Sequence, residues 1–92
     1  MKILVQAFAP GKMEETVTCR SDAAFLVYVV TNAPPNGYSI SVQSTGAATG
    51  TNAPSFVIGA RANDVITFIF PPGATGFITL QTEDGANASI SG

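Results

Sequence analysis

Ninety-two residues make one domain, near the lower end of what folds on a single apolar core. Apolar residues are 46% of the chain and charged residues only 11%, so hydroxyls and amides must keep the surface wet. Four Lys and Arg against six Asp and Glu give a net charge of -2, which excludes the basic field that holds a nucleic acid, and no stretch approaches the roughly 18 to 20 apolar residues of a membrane-spanning helix.

In chain order, short β-rich runs alternate with Gly, Pro, Asn and Asp clusters at the spacing of sandwiches and barrels, and no window carries a helical apolar period. Eight strands are predicted, over residues 3–8, 15–20, 25–31, 38–44, 55–58, 64–70, 77–82 and 88–91, which makes the fold class all-β: a single small β-sandwich, immunoglobulin-like or jelly-roll-like. Residues 1–8 serve as an arm or an edge strand. Their apolar run is interrupted by Gln6 and Pro10 before it reaches signal-peptide length, so the sequence predicts synthesis in the cytosol without a signal peptide.

The second strand contains TVTC, ending at Cys19, the only cysteine. Alternation puts Val17 and Cys19 on one face and Thr16, Thr18 and Arg20 on the other, so Cys19 reads as a buried small hydrophobe. The run FLVYVVT sets Phe25, Val27 and Val29 against Leu26, Tyr28 and Val30, apolar on both sides. YSISVQS, in contrast, alternates Tyr38, Ile40 and Val42 with Ser39, Ser41 and Gln43. DVITFIF is again apolar on both faces, with Ile66, Phe68 and Phe70 opposed to Val65, Thr67 and Ile69, while FITLQT turns Ile78 and Leu80 inward and Thr79 and Gln81 outward.

Between the strands, APGK, APPNGY, PPGATG and EDGAN are corners by their turn chemistry. STGAATGTNAP, residues 44–54, is longer and has no apolar anchor, so it is expected to be flexible or held by another molecule. A two-sheet sandwich has one interior, so strands apolar on both faces need a second cover. The expected partner interface comprises Ile3, Val5, Leu26, Tyr28, Val30, Val65 and Ile69, with Thr49, Thr51 and Asn52 from the long loop. The competing expectation folds residues 1–8 over that face within one chain.

The absence of histidine removes the commonest general base and transition-metal ligand. The carboxylates Glu14, Glu15, Asp22, Asp64, Glu83 and Asp84 fall at strand ends and turns, without the aromatic wall that a glycosidase cleft needs or the oxygen spacing of a calcium loop. The sequence therefore predicts no enzyme, no metal and no cofactor.

The TVTC strand, the run RANDVITFIFPPGATGFITLQTEDG and the low charge together resemble the small all-β virion proteins of tailed bacteriophages, particularly capsid decoration or cement proteins. That resemblance implies an immunoglobulin-like or jelly-roll sandwich, located in the virion, that sits on the head lattice as a homo-oligomer such as a trimer. Its partner would be the major capsid protein or another virion protein. The alternatives left open are a tail, neck or fibre component of the same kind of particle, and a small carbohydrate- or ligand-binding module.

Overall fold

The structure, a computed structural model, describes residues 1–33, 37–48 and 55–92, and for Ala47, Ala48 and Phe56 the backbone alone. Nine strands form among these residues: β1 (Lys2–Phe8), β2 (Glu15–Ser21), β3 (Phe25–Thr31), β4 (Ser39–Val42), β5 (Gly46–Ala48), β6 (Ser55–Ala60), β7 (Val65–Phe70), β8 (Gly76–Thr82) and β9 (Ala88–Ser91). They divide into two antiparallel sheets, one ordered β1-β8-β3-β6 and the other β5-β4-β7-β2-β9.

The pairing explains the architecture. The pairs β1–β8, β2–β7, β3–β6 and β4–β5 are those of one long ribbon folded back at the β4–β5 turn. Rolling the ribbon sends alternate pairs to opposite sheets and creates two new seams, β8 on β3 and β7 on β4. This strand order defines a jelly roll, to which β9 is added beside β2. Only the β4–β5 hairpin stays within one sheet, whereas an immunoglobulin sandwich builds most of each sheet from such neighbours. Of the two sandwich types expected from the sequence, the topology is that of the jelly roll.

All eight predicted strands form, within a residue or two at most boundaries. The ninth, β5, falls in the segment read as a loop. Gly46-Ala47-Ala48 has neither alternation nor β-branching to announce a strand; it is extended because it pairs with β4 after a turn in which the Thr45 N–H reaches the Val42 carbonyl and Gly46 adopts φ 89°.

The core lies between the sheets, where inward positions alternate with outward ones along each strand. Val27, Val29, Ile78 and Leu80 of the four-stranded sheet meet Val17, Cys19, Ile40, Ile66 and Phe68 of the five-stranded sheet, all essentially excluded from solvent. At one end Phe8 stacks on Phe70 across the interior, with ring centroids 3.8 Å apart and planes 12° from parallel. Phe68 and Tyr38 flank Phe70 at 5.9 and 5.5 Å, so an aromatic cluster clasps the two sheets where β1 ends. Buried hydroxyls at strand ends are satisfied by turns: Thr82 Oγ1 donates to the Ala24 carbonyl, and Thr31 Oγ1 to the Thr75 carbonyl.

Candidate interaction surface

The outer face of the four-stranded sheet is a grid fixed by strand register. One row runs Ile3, Gln81, Leu26, Gly59 from β1 across to β6, the next Val5, Thr79, Tyr28, Val57, and the third Ala7, Phe77, Val30, Ser55. No position in the grid carries a charge. Val5 is 63% exposed, Val57 56%, Phe77 55% and Tyr28 40%, values usual for surface lysines and unusual for aliphatic and aromatic side chains. Strands about 4.8 Å apart and rows about 6.8 Å apart make this a surface of roughly 400 Å² in projection; with the polar Gln81, Thr79 and Ser55 left out, about 300 Å² remains, the lower end of the range where the largest apolar patch of a monomer is often functional.

Two of the adjacent charges are held away from the grid, while Arg61 and Glu83 stand exposed at its edge, beyond Gly59 and Gln81. Lys2 lies on the inward side of β1, and its ammonium donates to the Ala86 carbonyl at 2.8 Å. At the end of the same strand, the Met1 amino group pairs with the Asp84 carboxylate at 2.8 Å.

The opposite face of the molecule has a different chemistry. On the five-stranded sheet, Ile69 sits between Ser39 and Thr16, Thr67 between Ser41 and Thr18, and Val65 beside Arg20, with Ser89 and Ser91 on the flanking strand. Val65 and Ile69 are half-buried aliphatics in a field of hydroxyls. The sandwich therefore has one wet face and one dry face.

Five of the residues expected at a partner interface, Ile3, Val5, Leu26, Tyr28 and Val30, share the dry face. Val65 and Ile69 do not join them: β3 and β7 belong to different sheets, so their outward sides point in opposite directions, and the expected single patch is corrected to one face alone. Thr49, Thr51 and Asn52 lie outside the described residues. Residues 1–8 form β1, an edge strand that extends the dry face instead of covering it. Phe77 and Val57 are members that the sequence reading passed over. The Phe77 position follows from FITLQT once Ile78 and Leu80 are inward, since it shares the parity of Thr79 and Gln81.

Three other groups with chemical potential, Cys19, Asp64 and Asp22, are engaged structurally. Cys19 is fully buried, and burial pushes its thiol up to about 12 from an ordinary 9.0. Asp64, expected at a solvated strand end, is instead buried: its Oδ2 accepts from the Ser44 hydroxyl at 2.6 Å, and its Oδ1 accepts from the Val65 N–H at 2.9 Å and the Ser44 N–H at 3.2 Å. Those bonds, led by the Ser44 hydroxyl, hold its carboxyl below the usual range although burial acts the other way. The Asp22 Oδ1 accepts from the Asn87 N–H at 2.9 Å and so joins two turns. Among the described residues no three His, Cys, Asp or Glu side chains come together in a metal-binding cluster.

A cleft of about 700 Å³ opens at the β4 and β6 side of the sandwich, between Phe25, Val42, Ile58 and Ala60, with Asp64 and Ser44 on its wall. Its one buried carboxylate is already satisfied by Ser44 and Val65, and the apolar walls continue the core. No family model, curated protein or solved structure matches the chain.

Proposed function

We propose that this chain is a structural protein that acts by association, and that its dry sheet face is buried in the assembled form. The place we assign it is the virion of a tailed bacteriophage, as a decoration or cement protein bound in many copies to the head lattice. The observation that carries the reading is the contrast between the two outer faces: one rich in Ser and Thr, the other an uncharged grid of Ile3, Val5, Leu26, Tyr28, Val57 and Phe77. A monomer working alone gains nothing from such a face and risks aggregation through it. Jelly rolls recur in viral capsids, but also in lectins and cupins, so the fold supports the reading only in company with the face.

Catalysis is disfavoured on chemical grounds. The chain has no histidine, its thiol is buried and held neutral, and its one buried carboxylate serves as a latch. A second reading draws on one observation: Tyr28 and Phe77 stand exposed beside Thr79 and Gln81, a composition on which a sugar ring can stack and hydrogen-bond.

Co-sedimentation of purified protein with phage heads separates the two readings. Saturable binding in many copies, with raised resistance of the heads to heat, is the expected outcome. Absence of binding to heads together with selective glycan binding would establish the carbohydrate module instead.

A further inference from the structure

We propose that the dry face of one copy is covered by the dry face of a second copy, related by a two-fold axis that runs along the strands midway between β8 and β3. This rests on the reading above that the face is buried in the assembled protein. An axis in that position keeps the rows of the grid and exchanges its columns, β1 with β6 and β8 with β3.

The register then decides what meets what. Ile3 lies over the partner's Gly59, where there is no side chain, and Tyr28 over the partner's Thr79, hydroxyl toward hydroxyl. Phe77 meets the partner's Val30, Val5 the partner's Val57, Leu26 the partner's Gln81 and Ala7 the partner's Ser55. The largest side chains on each copy face smaller ones on the other, which two sheets packed about 10 Å apart require. The other in-plane axis, at right angles to the strands, sets Tyr28 against Tyr28 and the Gln81 side chain against Phe77, a poorer match of size; both axes place the Gln81 amide on an apolar side chain, so polarity does not separate them.

Two further observations favour a second copy over a different protein. A self-pairing face must avoid setting like charges together, and this one carries none. Two grids of roughly 400 Å² in projection make about 800 Å², and because Val5, Val57, Phe77 and Ile3 stand more than half exposed, the accessible area closed on pairing exceeds that projection and approaches the roughly 1,200 Å² lower end of specific interfaces. The contact is isologous and closes on itself, and it leaves both Ser- and Thr-rich faces pointing outward.

The test uses two single-cysteine proteins, Val5→Cys and Val57→Cys, each also carrying Cys19→Ala so that no other thiol is present. With a short bis-maleimide, a mixture should yield cross-linked dimer while either protein alone should not. Sedimentation equilibrium of the unmodified chain should show a monomer–dimer equilibrium, and Tyr28→Lys should weaken it about thirtyfold or more, as for loss of a central aromatic contact. Cross-linking of the Val5→Cys protein alone would overturn the proposed axis. A monomer at every concentration would overturn the second copy; if that monomer still bound phage heads, the structural function would stand and the face would belong to a capsid subunit. A dimer that bound no heads would support this inference and remove the virion role.

Discussion

Val5 and Tyr28 stand in one row of the four-stranded sheet, separated by Thr79, and both point away from the core. Neither packs the interior, so replacing Tyr28 with Lys should change the stability of an isolated chain by no more than about 0.5 kcal/mol. Association that buries the pair adds stability by mass action. The melting temperature of the wild type should therefore rise with protein concentration, and that of Tyr28→Lys should not. A paired change on the wet face, Val65→Thr with Ile69→Thr, should leave the concentration dependence in place. Calorimetry at several concentrations checks all three; a wild-type melting temperature independent of concentration would show that the face is not buried by association.

Cys19 tests the reading of the core. A thiol with no exposed surface and a titration pushed up to about 12 is neither accessible nor ionised at neutral pH. Native protein should fail to react with a chromogenic disulfide reagent, and reaction should appear only with global unfolding in denaturant. Cys19→Ala should cost about 1 to 2 kcal/mol, the effect of a small cavity, and leave association intact. Fast labelling of the native protein would mean that the sheets separate at β2 more readily than their packing implies.

The strands were legible for two reasons: YSISVQS and FITLQT alternate with period two, and their inward Ile40, Val42, Ile78 and Leu80 are buried, while FLVYVVT and DVITFIF are strand-length runs of β-branched and aromatic residues bounded by turns. Which sheet each strand joins was not legible. Leu26 and Val65 are equally apolar and equally outward in sequence, yet they end on opposite sides of the molecule, because the assignment depends on how the ribbon rolls, a property of pairing over long sequence distances. β5 was missed for a related reason, since small residues become a strand only when a neighbour offers a ladder. Asp64 was read as solvated because its partner Ser44 is 20 residues away and nothing local marks the contact.

That contact makes a pH prediction. The folded state lowers the Asp64 carboxyl from its ordinary 3.8, chiefly through the Ser44 hydroxyl, so folding favours the ionised form. For a lowered value the stabilisation is complete above the ordinary carboxyl range and drains away as pH falls below it and through the folded-state value. Asp64→Asn should melt lower than the wild type at about pH 7, and the difference should narrow as pH is taken down toward about 2. Melting temperatures of the two proteins across that range give the test. A difference that stays constant into strong acid would show that Asp64 acts through its shape and not its charge.

Gly76 opens β8 opposite Phe8 on one side and Thr31 on the other, at the point where the PPGATG corner feeds back into the sheet. A Cβ placed there would collide with the Val30 carbonyl oxygen and lie 2.9 Å from the Thr31 Cα, both backbone atoms of the central strand β3. A flexible side chain could move aside, but β3 cannot, because it is paired along its length to β6 as well as β8. Gly76→Ala should therefore cost more than about 3 kcal/mol, in the exceptional range for a single methyl. Gly11→Ala, where a Cβ meets nothing within 4 Å, should be nearly neutral. Urea unfolding of the two variants beside the wild type measures the contrast. If Gly76→Ala unfolded at the wild-type midpoint, β8 would have to be able to draw back from β3 at this row, and the register that builds the dry face would be looser at Phe77 than at Thr79.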